Sequence, residues 1–237
     1  MKSYLKNLIA EGEHLKQDFK FAINDSKKIA RSLAAFANTE GGRLLVGVKD
    51  NGKIAGISSD EEYYMVESAA QRYCKPPVPF ETHEWKAEGK TVLEIVVPKS
   101  EKRPHKAPAR QGQYKVYVRV EDQNLLANRI LLKVWLRQKQ EQGTFFQLTE
   151  PEQTLLNWLN HENPYITHTK FSRIAQISRK KAEKILVNLI VTGIIDIELT
   201  HNGAFYKLKD PEMDMTKENH PTAGNPSGEE NYHRNSS

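Results

Sequence analysis

A single cysteine, Cys74, in 237 residues leaves the chain without an internal disulfide. It also excludes zinc fingers, zinc ribbons and iron–sulfur clusters that need several thiolates. A reducing, cytoplasmic setting is expected. Long apolar runs are missing too. The longest, such as Leu44-Leu45-Val46-Gly47-Val48, fall far below the ~20 residues that span a bilayer, so no membrane association is expected. The opening Met1-Lys2-Ser3-Tyr4-Leu5-Lys6 has no apolar core of a secretory signal. The eight histidines, among them His14, His83, His105, His161 and His168, are scattered without metal-ligand spacing. No Ser-His-Asp order is apparent. Cys74 sits at an expected helix end with no identifiable base and reads as a small buried residue.

One glycine-rich stretch invites a nucleotide reading. Gly47-Val48-Lys49-Asp50-Asn51-Gly52-Lys53 fits the glycines and lysine of a P-loop, but Ile54 stands where a magnesium-binding Ser or Thr belongs. The segment also reads as strand, tight turn, strand, whereas a phosphate loop runs from strand into helix. A type I′ hairpin explains these residues better, and a P-loop ATPase is rejected.

Charge is present but uneven. Lys plus Arg is 35 against 30 Asp plus Glu, a net charge of +5. From Lys99 to Lys139 there are 11 basic and 3 acidic residues, a local balance of +8. Such density predicts a face for a polyanion. A solvated surface with acidic partners elsewhere in the fold is the plainer alternative.

The chain divides into three. Residues 1–143 mix helix and strand patterns in an α+β order. A helix is expected over 3–9, and a strand over 15–22 with Asp18 and Lys20 on one face and Phe19 and Phe21 on the other. A helix then starts from Asn24-Asp25-Ser26 and stops at Gly41-Gly42. Strands at 43–48 and 53–57 flank the turn. A helix with a Ser59-x-x-Glu62 capping box runs to about residue 73, where Lys75-Pro76-Pro77 ends it. Strands at 80–86, 91–97 and 114–120 and a helix at 124–140 follow. Residues 144–210 give three helices, at about 150–161, 167–176 and 179–192, then a hairpin around His201-Asn202-Gly203. That is the order of a winged helix, whose third helix reads nucleic acid. Residues 211–237 hold Ala223 as the one aliphatic residue and are expected to form a disordered tail.

Four sets of residues could carry function. The third helix of residues 144–210 begins Ser178-Arg179-Lys180-Lys181 and carries Lys184. Tyr114-Lys115-Val116-Tyr117-Val118-Arg119 would place Lys115, Tyr117 and Arg119 on one strand face, suited to backbone contact and base stacking. Arg103, His105 and Lys106 form a basic loop where phosphate contact is conceivable and solvation the plainer reading. Glu11, Glu13, Asp18 and Asp50 are acids that could hold a divalent ion if they converged. Spacing alone leaves them as surface or turn acids, because Glu13 and Asp18 fall on opposite faces of a strand.

The stretches Gln17-Asp18-Phe19-Lys20, Ile29 to Val48 with Phe36-Ala37-Asn38-Thr39-Glu40-Gly41-Gly42 at its centre, and Asp50-Asn51-Gly52-Lys53-Ile54-Ala55-Gly56 closely resemble the Schlafen AlbA-2 domain. Tyr117-Val118-Arg119-Val120, Asn124 and Ala127 resemble its later strand and following helix. The likeness spans about residues 7–135. It implies a mixed sheet with helices and an assignment to nucleic-acid binding, often joined to a winged helix in bacterial proteins. It also implies an alternative. Some animal Schlafen proteins cleave tRNA and rRNA with three acids, which fall here on Glu13, Asp18 and Asp50. Asp18 is one methylene shorter than the usual Glu. In that reading the three acids would hold Mg²⁺ or Mn²⁺ and Lys20 would stabilise charge.

The sequence therefore predicts a transcription-regulator-like protein that binds DNA or RNA. Arg103, Lys106, Lys115 and Arg119 would hold phosphates, and Arg179, Lys180, Lys181 and Lys184 would enter or line a groove. A metal-dependent ribonuclease and a protein-interaction module are the rivals. A homodimer is compatible with a winged helix, but no heptad seam enforces one.

Overall fold

The computed structural model describes residues 2–57, 60–109, 112–140 and 148–210. The expected tail, 211–237, lies outside the described residues, as does Ser59 of the expected capping box. No described helix is long and apolar enough to cross a membrane.

The N-terminal part is built on two sheets. Helix α1 (Lys2–Glu11) precedes β1 (Gln17–Lys20), α2 (Ser26–Asn38) and β2 (Gly42–Val46). Helix α3 (Glu61–Ser68) continues as a π-helical turn over Ala69–Tyr73, then β3 (Glu81–Ala87) and β4 (Lys90–Val97) follow. The first sheet has the order β1-β2-β4-β3, with β1 and β2 parallel and the other pairs antiparallel. The second sheet is β5 (Lys106–Pro108), β6 (Tyr114–Val120) and β7 (Gln123–Leu126).

Alternation along the strands decides what each face meets. Leu44 and Val46 of β2 and Leu93, Ile95 and Val97 of β4 point to α2. Leu45 and Val92 point the other way, onto Leu5 and Leu8 of α1, and Phe19 of β1 joins them. From Ile29 onward helix α2 is buried nearly all round, with Ile29, Leu33 and Phe36 interspersed with alanines, as suits a helix enclosed by other elements. Its small residues let the second sheet approach, so Ala107 and Tyr117 complete the same core.

The motif Phe36-Ala37-Asn38-x-x-Gly41-Gly42 is a packing lock. A Cβ on Gly42 would lie 2.4 Å from the Phe36 ring, and one on Gly41 2.8 Å from the Val97 carbonyl. The Asn38 amide donates to the carbonyls of His105 and Tyr117, each at 2.8 Å, and accepts the His105 backbone N–H at 2.7 Å. One side chain thereby ties the end of α2 to the start of β5 and the middle of β6.

Several sequence expectations change. The Asp50-Asn51-Gly52 turn is a hairpin, but Gly52 is its one residue with positive φ (+77°), so it is not type I′, which needs two. Residues 53–57 contribute a single bridge, Val48 to Ile54, rather than a strand. The two-residue turn with paired positive φ is Glu88-Gly89 (54° and 72°), between β3 and β4. Residues 124–126, expected to begin a helix, instead form most of β7 and pair with β6. The basic loop at 102–106 ends in β5, and His105 within it is buried. Strand β6 has no wet face beyond Lys115. Val116, Val118 and Val120 pack on Leu131 and Trp135, while Tyr117 and Arg119 are buried on the other side.

Helix α4 (Arg129–Gln138) links the two halves. Leu131 and Trp135 cover β6, while Ile130 and Val134 enter the core of the C-terminal part. That part comprises α5 (Glu150–Asn157, continued as a π-helical turn over Trp158–Glu162), α6 (His168–Ile174), α7 (Arg179–Val191) and the hairpin β8 (Ile195–Thr200) and β9 (Gly203–Leu208). The order of three helices and a hairpin is the one expected. Ser178 caps α7 by accepting the Lys181 N–H, and Gly193, at φ +72°, ends it.

Candidate nucleic-acid interface

The acids expected from the sequence meet only in part. Glu13 lies in the loop before β1, and its carboxylate accepts the Phe19 N–H at 2.8 Å. That places it beside Asp18. Burial, then a hydrogen bond with Asp18, raises the Glu13 pKa. The two acids thus converge despite their spacing, because Glu13 is off the strand.

The rest of the site does not fit a divalent ion. Asp18 is buried with both oxygens engaged by cations, Oδ2 at 2.9 Å from Lys20 Nζ and Oδ1 at 3.4 Å from Arg119 Nη2. A metal would have to compete with two positive charges already in place. Asp50 is exposed in its hairpin, and the ligand atoms of Glu13, Asp18 and Asp50 do not gather within 4.8 Å of one another. Lys20 also donates to its neighbour's carbonyl, Phe19 O, at 2.6 Å. The Mg²⁺ or Mn²⁺ site expected on these three acids is therefore not assembled. Among the described residues the group of three potential ligands that does gather is Glu121, Asp122 and His201, all exposed, with His201 Nε2 2.7 Å from Glu121 Oε2.

Arg119 is corrected as well. It is 2% exposed, donates to the Gln17 carbonyl at 3.1 Å and to Asn124 Oδ1 at 3.2 Å, and stacks on the Phe36 ring at 5.2 Å. It is an internal tie and offers nothing to a phosphate. His105 is likewise internal. Its Nδ1–H donates to the Pro76 carbonyl at 2.8 Å, since a carbonyl can only accept, and Nε2 then accepts the Ser100 hydroxyl at 2.7 Å. Burial lowers its pKa. Burial pushes the Cys74 thiol up to about 12 and leaves it inert.

The remaining basic residues stay at the surface. Lys106 and Lys115 are exposed on neighbouring strands, and Arg103 lies 5.4 Å over the Trp135 ring on α4. Arg179, Lys180, Lys181 and Lys184 are all exposed on α7. The structure adds three cations that the sequence reading did not single out. Arg129, Lys133 and Arg137 recur every fourth residue on α4, hence along one face, and that spacing was the available signal.

Helices α4 and α7 pack side by side, and a groove runs between their basic edges. One end is a cavity of about 820 Å³ whose lining includes Arg129, Lys133, Arg179 and Lys180. It continues past Lys133 and Lys180 into a second hollow of about 400 Å³ lined by Arg137, Gln140 and Lys184. Lys181 does not line either. The one carboxylate in the lining is Glu183. It is bonded to Lys133 and lies 3.6 Å from Arg129 Nε, and the Lys133 hydrogen bond holds its pKa down. Six cations against one paired acid make the groove strongly positive.

Residues 13–128 match the family model Schlafen, AlbA_2. They form a Schlafen AlbA_2 domain. The lock at Phe36 to Gly42, the Asn38 bonds and the Asp18–Arg119 pair all fall within it. No curated protein matches the chain at a significant level. Among solved structures, the chain is similar to the N-terminal domain of a Nitrosomonas europaea protein named as related to the ATP-dependent DNA helicase RecG. The two are 23% identical, the match covers 54% of this chain and 94% of that one, and the TM-score is 0.38. It is also similar to the DIP2311 protein of Corynebacterium diphtheriae, at 17% identity over 89% of this chain, with a TM-score of 0.44. There it spans 50% of the other chain's length.

Proposed function

We propose that this protein binds nucleic acid through the α4–α7 groove, with residues 148–210 acting as a winged helix on the AlbA_2 domain. The observation that carries the reading is the groove itself, in which Arg129, Lys133, Arg137, Arg179, Lys180 and Lys184 face one another across a single, already neutralised carboxylate. Cations in such a row attract a phosphate backbone through counterion release. In a winged helix α7 would be the reading helix, and its N-terminal half exposes Arg179, Lys180, Lys181 and Lys184. The tip of the hairpin stands at the same place, since Asn202 lines the cavity. Lys106 and Lys115 add exposed cations on the AlbA_2 domain. A regulator of transcription is the role such a module would serve. The ribonuclease reading has no comparable support, because its three acids hold no common centre.

The test is a mobility shift with labelled duplex DNA, single-stranded DNA and tRNA. Lys180→Glu with Lys184→Glu is expected to abolish the shift while leaving the circular-dichroism melt unchanged. An undiminished shift in that variant overturns the proposal.

A further inference from the structure

The cavity at the head of the groove is its roomier part, about 820 Å³ against about 400 Å³ for the hollow beyond it. It is bordered by α4, by the start of α6, by the start of α7 and by the β8–β9 hairpin. Its volume of about 820 Å³ falls in the range of small-molecule sites, roughly 300–1,000 Å³. A duplex passing along the groove has no need of such a recess.

The lining is sorted by chemistry. Arg129, Lys133, Arg179 and Lys180 supply positive charge. Glu183 is occupied by Lys133 and Arg129, and Arg179 and Lys180 form no ion pair with a carboxylate among the described residues. Thr169 and Asn202 offer a hydroxyl and an amide, Asn128 is committed to capping α4 by accepting the Leu131 N–H at 2.7 Å, and Ile130, Ala204 and Tyr206 give an apolar floor. The floor is firm. Tyr206 is 1% exposed, and its backbone pairs with Ile166 in both directions, at 2.9 and 3.0 Å. His168 is fixed too, its Nε2–H donating to the Arg179 carbonyl at 2.9 Å.

Several cations around one recess suit a phosphate monoester better than a phosphodiester. A monoester carries about −1.5 to −2 at neutral pH, against one charge on each backbone phosphate. A hydroxyl, an amide and an apolar floor beside those cations suit a sugar and base. From this juxtaposition we infer that the cavity binds a nucleotide through its terminal phosphate, either as a free mononucleotide or as the phosphorylated end of a strand. The inference rests on the nucleic-acid reading in one respect, the choice of nucleotides among phosphorylated molecules.

The experiment uses the full chain. Calorimetric titration compares deoxyadenosine 5′-monophosphate with deoxyadenosine, and a 12-nucleotide strand bearing a 5′-phosphate with the same strand bearing a 5′-hydroxyl. The phosphate is expected to tighten binding tenfold or more in at least one pair. The first pair reports a free nucleotide, the second a strand end. Arg179→Glu, confined to the cavity, is expected to remove that preference. Lys184→Glu, confined to the groove, is expected to weaken both strands alike and keep it. Equal affinity with and without the phosphate in both pairs overturns the inference. If strands bind equally well with either end and Lys184→Glu weakens both, the groove stands and the cavity reading alone falls. If no strand binds but the mononucleotide does, the cavity stands and the groove reading falls.

Discussion

Arg119 Nη2 lies 3.4 Å from Asp18 Oδ1, and both side chains are almost wholly buried. One comes from the outer strand of the first sheet and the other from the middle strand of the second. The pair closes the two sheets around the end of α2, with Phe36 packed beneath the guanidinium. A residue type that points to phosphate contact when read in sequence is here part of the frame.

Removing one member should therefore cost stability rather than affinity. Arg119→Met leaves Asp18 buried beside Glu13 with one cation fewer. Breaking a buried pair in this way typically costs about 3–5 kcal/mol. The urea midpoint of Arg119→Met is expected to fall sharply, and adding Asp18→Asn is expected to recover part of the loss. A variant with wild-type stability and weakened nucleic-acid binding would return Arg119 to the surface reading.

Gly42 makes a prediction about packing alone. It has no positive φ, so its absent side chain is explained by close neighbours, chiefly the Phe36 ring, 2.4 Å from where a Cβ would sit, with the Lys16 carbonyl at 2.9 Å. Gly42→Ala is expected to destabilise by about 1–3 kcal/mol through overpacking. Gly89→Ala is the contrast. Nothing lies within 4 Å of its Cβ position, and its φ of +72° carries the whole penalty, about 1–2 kcal/mol for a left-handed residue. Thermal melts separate the two when Phe36→Leu is added, since relief of the clash helps Gly42→Ala and leaves Gly89→Ala unchanged.

His105 sets a pH dependence. Burial lowers its folded pKa below the value near 6.5 of the unfolded chain. Below that value the unfolded chain takes up a proton that the folded protein resists. The His105 contribution is thus complete above about pH 6.5 and is lost as pH falls through the folded pKa. Urea midpoints at pH 7.5 and 5.5 should differ more for the wild type than for His105→Gln. An equal difference in the two proteins contradicts the assignment.

Much of the frame is legible in the residues. The alternation of Leu44, Leu45 and Val46, the caps at Asp25 and Ser178 and the break at Gly41-Gly42 each carry their structure locally. Strand β7 is hidden because Asn124 to Ala127 runs without a break into a helical pattern, and four residues are too few to show a period of two. Lys106 to Pro108 becomes a strand through its partner β6, which no local pattern announces. The candidate site is less legible still. Asp18 and Arg119 stand 101 positions apart, and the pairing that consumes them exists only once α2 has brought the sheets together. The basic stripe on α4 could be read from its spacing, but its position opposite α7 could not.

The most direct measurement of the central claim is the salt dependence of duplex binding. Log K against log salt should be linear, with a slope of about −0.9 per phosphate neutralised. In Lys180→Gln with Lys184→Gln the slope should become shallower by about 2. Binding whose affinity is unchanged from low to moderate salt, or whose slope is the same in that variant, would contradict the groove as the nucleic-acid interface.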